Sequence, residues 1–187
     1  MKHFVDRSLL VMALFFWGTA AWSQASGFNL NIFYGHGLLK GEKTIDWGGA
    51  GGSLGYHHDL STRFGLALNL GIAGDDLGAS SVEGIYSAKY FFSDNDETAV
   101  YLGSFIGVQS IKATERYPTV NASKVQVPIG LQLGLRGGLD GFFGELFLQA
   151  GYNLGSGTMY SNSEGPVKTA PIYFSLGLGI LGFGWDH

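Results

Sequence analysis

The sequence contains no cysteine, few charged residues and, beyond its first 25 residues, no uninterrupted long apolar run. Without cysteine the chain cannot build a disulfide scaffold, use a thiol nucleophile or bind zinc through thiolates. Charged residues make up 14% of the chain, against a usual share of about 25%. The net charge of −4 argues against a nucleic-acid binder, which should carry a basic face.

Glycine and aromatic residues are abundant instead, with 31 Gly, 14 Phe, 9 Tyr and 4 Trp among 187 residues. This apolar content excludes intrinsic disorder, and the lack of a strict Gly-X-Y period excludes collagen. The length predicts a single domain. A glycine-rich, aromatic-rich and charge-poor chain of this length is typical of a β-barrel, including barrels that lie in a membrane.

Residues 1–25 have the pattern of a secretory signal peptide. Two basic residues precede an apolar run over 9–17, and small residues follow it, as signal peptidases prefer. Cleavage is predicted after Ala25, with Ala21 as the alternative. The run is too short for a membrane-anchor helix, which needs roughly 20 apolar residues. The mature domain would then span 26–187.

Eight segments of strand character fill the mature chain. Each is about as long as a strand that crosses a bilayer at a tilt, which needs roughly 9–11 residues. We predict an all-β fold, an eight-stranded antiparallel up-and-down transmembrane barrel. The eight segments are 27–39, 46–58, 62–74, 80–92, 98–111, 123–136, 142–155 and 170–183.

Aliphatic residues alternate with small or polar residues along these segments, most regularly in 123–136. The charged residues within the strands all fall on the small and polar face. A charge on the lipid face near the midplane would cost about 2–4 kcal/mol, so this face is predicted to line the interior. We predict an interior charge network and a salt bridge between Arg136 and Glu145, with aromatic rings as further filling. The network comprises Glu83, Lys89, Lys124, Arg136 and Glu145, and the rings are those of Phe105, Phe143 and Phe147.

Short and long connections also alternate along the chain. The short ones at 58–61, 93–96 and 137–141 all fall on the amino-terminal side of the barrel, whereas 113–123 and 156–169 are longer. Outer-membrane barrels have short periplasmic turns and longer extracellular loops, which predicts the orientation. The residues expected to make extracellular loop contacts are Glu115, Arg116, Tyr117, Tyr160, Asn162 and Glu164.

The last predicted strand contains Gly177, Gly179 and the aromatic Phe183 in an alternating apolar context. With the signal peptide and the eight amphipathic segments, it resembles the small eight-stranded outer-membrane proteins of Gram-negative bacteria, the OmpX/OmpW/OmpA-barrel-like group. The resemblance covers 26–187 and implies that this strand is the barrel-assembly signal. Because the family usually ends on the aromatic and Trp185 lies two residues further on, either Trp185 is the signal aromatic or the strand stops early.

The resemblance implies outer-membrane localisation, a porin-like or OmpX-like architecture and a monomer. Its expected partners are outer-membrane lipid and lipopolysaccharide, periplasmic chaperones and the barrel-assembly machinery, with no nucleic acid. The leading hypothesis is a structural or surface-interaction role through the extracellular loops. A narrow channel for small or apolar solutes is the first alternative, although an eight-stranded barrel leaves little lumen.

A lipid A-modifying enzyme of the outer leaflet is the second alternative. Such chemistry needs a nucleophile with a base in reach, which His36 with Asp75, Asp76, Ser80 and Ser81 would have to supply. No His-X-Ser pair shares one strand face, so we expect no catalytic residues.

No cofactor or metal site is predicted either. The glycines at 49–52 lack the strand–loop–helix context and the Lys-Ser/Thr pair of a phosphate loop. His57 and His58 are adjacent in a predicted strand, so they should point to opposite faces and cannot share a metal ion.

Overall fold

The structure is a computed structural model that describes residues 25–35, 38–40, 49–75, 79–92, 98–113, 122–139, 142–162 and 165–181. The predicted signal peptide, apart from Ala25, lies outside these ranges. Within them, no helix is long and apolar enough to cross a membrane.

Eight of the eleven strands in the described residues close into one barrel. The strands are β1 (Ala25–Gly35), β2 (Leu39–Lys40), β3 (Gly49–Ser61), β4 (Phe64–Gly74), β5 (Ala79–Phe91), β6 (Thr98–Ala113), β7 (Ser123–Leu139), β8 (Phe142–Leu154), β9 (Thr158–Asn162), β10 (Gly165–Thr169) and β11 (Ile172–Leu181). Around the barrel the order is β1-β11-β8-β7-β6-β5-β4-β3, every neighbouring pair is antiparallel, and the pairing of β1 with β11 completes the ring. The short strands β2, β9 and β10 form a separate three-stranded sheet.

The two-residue period of the sequence is the physical reason for these strands. Successive side chains of a strand point to opposite faces, so alternating residues separate onto two surfaces. Leu131 is 61% exposed on the outside of the barrel, whereas its neighbour Gln132 faces the interior and is 4% exposed. The barrel therefore carries its aliphatic residues outside and its polar residues inside, as predicted and opposite to a soluble barrel.

The strand bounds differ from the predicted segments mainly at the loop end of the barrel. β1 ends at Gly35, and Leu39 belongs to the separate sheet, so the predicted segment 27–39 is divided. Most of the predicted loop 156–169 forms the hairpin of β9 and β10. Gly155 and Gly157 have positive φ angles of 82° and 149°, which turn the chain out of β8 into this hairpin.

At the opposite end the turn between β3 and β4 is tighter than predicted. β3 continues to Ser61 through a register shift after Asp59, which leaves only Thr62 and Arg63 as the turn. The Oγ atom of Ser61 accepts hydrogen bonds from the backbone N–H groups of Arg63 and Phe64, which stabilises this turn. We call this end of the barrel the turn end and the other the loop end.

The hairpin of β9 and β10 covers the barrel interior at the loop end. Leu38, Ala79 and Ile111 form a buried apolar cluster, and Met159 of β9 and Val167 of β10 pack against it. Because Ala79 and Ile111 are inward-facing residues of barrel strands, this cluster joins the separate sheet to the barrel mouth. The hairpin is thus a folded cap over the interior, not an extended loop.

Candidate functional site

The barrel interior holds most of the candidate site residues, arranged in layers between the two ends. Nearest the turn end, Arg136 of β7 forms an ion pair with Asp59 of β3, with 2.7 Å between Nη1 and Oδ2. The guanidinium of Arg136 also lies 4.6 Å from the centre of the Phe91 ring. Three strands thus contribute to this layer.

A second ion pair lies in the next layer and is more deeply buried. Lys89 Nζ is 2.6 Å from Glu145 Oε1, and the two residues are 5% and 4% exposed. The hydroxyl of Tyr101 donates to the same carboxylate oxygen, and Gln132 Nε2 donates to the Tyr101 oxygen at 2.7 Å. Lys89 also lies 4.8 Å from the centre of the Tyr101 ring. These four residues lie on the contiguous strands β5, β6, β7 and β8 and form a hydrogen-bonded layer in the interior, which we call the lysine–glutamate layer.

The predicted Arg136–Glu145 salt bridge is wrong, although the predicted register is right. Arg136 and Glu145 are direct partners in the pairing of β7 with β8. Each instead forms its ion pair across the barrel, with Asp59 of β3 or Lys89 of β5, because long side chains in a narrow barrel reach opposite strands. In the ring of eight strands, β7 and β3 are four places apart.

The third layer contains a carboxylate with an amide ladder. Gln109 Nε2 donates to Glu83 Oε2 at 2.9 Å, and Gln126 Nε2 donates to Gln109 Oε1 at 2.7 Å. In the part of the chain that the structure describes, Glu83 has no ion pair. The remaining residue of the predicted network, Lys124, is half-buried at the loop end, where its Nζ donates to the backbone carbonyl of Thr158 at 3.2 Å.

Aromatic rings pack between these layers. Phe105 and Tyr173 pack with ring centres 5.2 Å apart and form a buried cluster with Ile85, and Phe147 is buried in the layer below. The side chain of Phe143, predicted as further filling, lies outside the described residues. Two cavities of about 30 and about 20 Å³ border Glu83. Each is large enough for only one or two water molecules.

The two adjacent histidines are separated as expected. His58 stacks on the ring of Tyr56, two residues away on the same strand face, whereas His57 belongs to the opposite face. Among the described residues, no group of three or more His, Asp or Glu side chains could hold a metal ion.

The two described serines of the enzymatic alternative lie on opposite faces of one strand. Ser81 is buried inside the barrel, whereas Ser80 is exposed on the other face of β5. The carboxylate of Asp75 accepts a hydrogen bond from the backbone N–H of Ala79 at 2.8 Å, a turn-stabilising contact. The other two candidates, His36 and Asp76, lie outside the described residues.

The predicted assembly signal and loop contacts are described only in part. Gly177 and Gly179 lie in β11 and face the interior, and a Cβ atom at Gly177 would overlap the Phe147 ring. Tyr160 and Asn162 lie in β9. The residues outside the described ranges are Glu115, Arg116, Tyr117, Glu164, Phe183 and Trp185.

Five residues of the interior network were not among the predicted site residues. Four of them occupy inward positions that strand alternation identifies. The sequence therefore predicts that these side chains point into the barrel, but it does not predict their hydrogen-bond partners. Asp59 was placed in a turn, and its inward orientation depends on the extension of β3 to Ser61. The five are Asp59, Tyr101, Gln109, Gln126 and Gln132.

Comparison with known proteins identifies this architecture. No family model matches the chain, and no curated protein matches it. Among solved structures, the chain is similar to Neisserial surface protein A (TM-score 0.57, 12% identity, 84% of this chain and 99% of that one). It is also similar to two proteins of Pseudomonas aeruginosa. For the N-terminal β-barrel domain of OprF the TM-score is 0.55 with 16% identity, covering 84% of this chain and 98% of that one. For the outer membrane protein OprG the TM-score is 0.55 with 10% identity, covering 86% and 97%.

The chain has the fold of the small eight-stranded outer-membrane β-barrels. At these identities the likeness concerns the fold alone. The interior network described above comes from the residues of this chain and is not transferred from those proteins.

The lysine–glutamate layer generates a stability prediction. Lys89→Met leaves the buried Glu145 carboxylate without its cation, which should cost about 3–5 kcal/mol. The double variant Lys89→Met/Glu145→Leu removes both charges and should recover most of that loss, because a buried ion pair is often replaceable by apolar residues. Denaturant unfolding of the refolded barrel in detergent micelles measures both values.

Lys112→Met is the matched control, since Lys112 is exposed at the loop end. Its stability should stay close to that of the unaltered protein. Equal losses in the single and double variants would show that the ion pair does not determine the stability of this layer.

Proposed function

We propose that the protein is an integral β-barrel of the Gram-negative outer membrane, with a structural or surface-interaction role and a closed interior. Two properties of the barrel support a lipid environment. Its outer face carries exposed aliphatic side chains on all eight strands, and aromatic pairs such as Phe28–Tyr56 and Phe64–Tyr90 lie near the turn end. Aromatic girdles of this kind flank the apolar band of transmembrane barrels.

The observation that carries the proposal is the filled interior. The lysine–glutamate layer joins β5 to β8 through the interior, the Arg136–Asp59 pair lies nearer the turn end, and the apolar cluster of Leu38 lies at the loop end. A solute would have to break charge-assisted hydrogen bonds in a region of low dielectric constant in order to pass. We therefore favour a non-conducting barrel over a narrow channel.

We also propose a non-catalytic role. The two described serines of the enzymatic alternative lie on opposite faces of β5, and Asp75 is engaged by the backbone of Ala79. Periplasmic chaperones and the barrel-assembly machinery are the proposed partners during export and insertion, with a monomer as the final state.

We place the proposed surface-interaction role at the loop end of the barrel, where the hairpin of β9 and β10 and three lysines lie. Lys112 and Lys168 are exposed there, and Lys124 is half-buried beside β9. Ammonium groups at the edge of an apolar barrel surface are placed to bind phosphate groups of lipids. We propose that these three lysines, which we call the lysine rim, contact lipopolysaccharide, because it carries such phosphates.

The closed interior predicts the electrical behaviour of the protein. After reconstitution of the refolded protein into planar bilayers, we expect no steady single-channel conductance, because the ion-paired layer and the cap block the lumen. The reconstitution itself is checked by heat-modifiable migration on gels and by membrane fractionation. An inserted, heat-modifiable barrel that conducts steadily would support the channel alternative and overturn the closed-barrel proposal.

The lysine rim predicts a specific loss of lipid binding. Replacing Lys112 and Lys168 by Gln should weaken binding to immobilised lipopolysaccharide by about tenfold, or ~1.4 kcal/mol, because two cations leave the phosphate-facing edge. Arg63→Gln, in the turn at the opposite end, is the matched control and should bind normally. If the double variant and the control bind equally well, lipopolysaccharide does not contact this rim.

A further inference from the structure

A furrow of about 680 Å³ crosses the outer face of β7, β8, β11 and β1. Its first edge is one continuous cross-strand row of four outward residues. Leu30 pairs with Ile180, Ile180 pairs with Gly144, and Gly144 pairs with Gly137. The row therefore begins with two aliphatic residues and ends with two glycines, which have no side chain.

The neighbouring outward row forms the other edge and is entirely aliphatic. Ile32 pairs with Leu178, Leu178 pairs with Leu146, and Leu146 pairs with Leu135. All four side chains are exposed to the surroundings of the barrel. The furrow is thus the space that Gly137 and Gly144 leave open beside a ridge of leucine and isoleucine.

Backbone packing does not require glycine at the floor of this furrow. A Cβ atom added to Gly144 would meet only the carbonyl oxygen of Gly137, at an ordinary contact distance of 3.8 Å. The inward Gly177 differs, because a Cβ atom there would overlap the Phe147 ring. The empty space over Gly144 is therefore open to an occupant from outside the barrel.

We propose that the furrow binds one acyl chain of a phospholipid from the leaflet on the turn side of the membrane. This inference rests on the proposed membrane location. Four strands at spacings of about 4.8 Å give the furrow a length of roughly 14 Å, which accommodates much of an extended acyl chain. Gly137 and Gly144 lie two residues from the ends of their strands at the turn end, where a chain descending from a turn-side headgroup would pass.

The chemistry of the lining also fits an acyl chain. Glu145 is the one ionisable residue among those that border the furrow, and its carboxylate is bound to Lys89 inside the barrel. No hydrogen-bonding side chain in the lining therefore needs a partner from the occupant. The occupant gains dispersion contacts with the backbone of Gly137 and Gly144 and with the aliphatic ridge beside them, whereas lipid on the convex barrel surface is touched on one side only.

Native mass spectrometry of the full mature barrel, released from vesicles of phosphatidylethanolamine and phosphatidylglycerol, tests the proposal. The unaltered protein should retain one phospholipid. Gly144→Leu fills the furrow and should lower the retained fraction by about tenfold. Gly84→Leu is the matched control, because Gly84 is an outward glycine of β5 outside the furrow, and it should retain lipid normally. If Gly144→Leu fails to fold, Gly144→Val provides a smaller filling with the same expected direction.

Three results would overturn the proposal. Equal retention by the Gly144 and Gly84 variants would show that the furrow holds no lipid. If an inserted, heat-modifiable protein retains no lipid, the furrow does not bind a phospholipid, whereas the proposed membrane location still holds. A dimer that disappears in Gly144→Leu would identify a second copy of the chain as the occupant. Failure of the unaltered protein to insert into vesicles would instead contradict the proposed function, and the furrow inference with it.

Discussion

The closed ring of backbone hydrogen bonds is the constraint on which the rest of the structure depends. Once β1 pairs with β11, the described barrel has no edge strand, and every residue of a barrel strand must face either the interior or the surroundings. Apolar side chains on the outside then require a lipid-like solvent, and polar side chains on the inside require partners within the protein. Both demands follow from one alternating pattern. Inside the barrel the charged groups of Lys89, Glu145 and Arg136 have partners, whereas buried atoms such as Ser87 Oγ and Gln126 Oε1 have no hydrogen-bond partner among the described residues.

The narrow interior explains how those partners are found. Eight strands leave a space that side chains can span, so Lys89 reaches Glu145 and Arg136 reaches Asp59 from strands that are not neighbours. Each ion pair joins strands that are not neighbours in the ring, and the two cavities that border Glu83 in the described interior are of water size. A barrel filled in this way supports the proposed non-conducting role, in which the surfaces that remain for function are the loop end and the outer wall.

Strand positions, side-chain facing and the up-and-down topology were predictable because each depends on a local two-residue period. The partners of the charged residues were not, because the contact between Arg136 and Asp59 depends on which strands are opposite in the closed ring. The hairpin of β9 and β10 was missed for another reason. Its strands are five residues long and lack sustained alternation, and they are stabilised by packing of Met159 and Val167 on Leu38 and Ile111, a contact that links distant segments.

The central claim is that the barrel faces lipid on its outside and is filled by side chains on its inside. Site-directed spin labelling along β7 tests it most directly, and the chain has no native cysteine that would have to be removed first. Single cysteines at Val125, Leu131 and Leu133 should place nitroxides where molecular oxygen in the bilayer collides freely and a water-soluble nickel reagent does not. Labels at Gln126 and Gln132 should be protected from both reagents, because they lie in the filled interior. High nickel accessibility at the three outward positions, or no alternation between the two sets, would contradict a barrel that faces lipid outside and is closed inside.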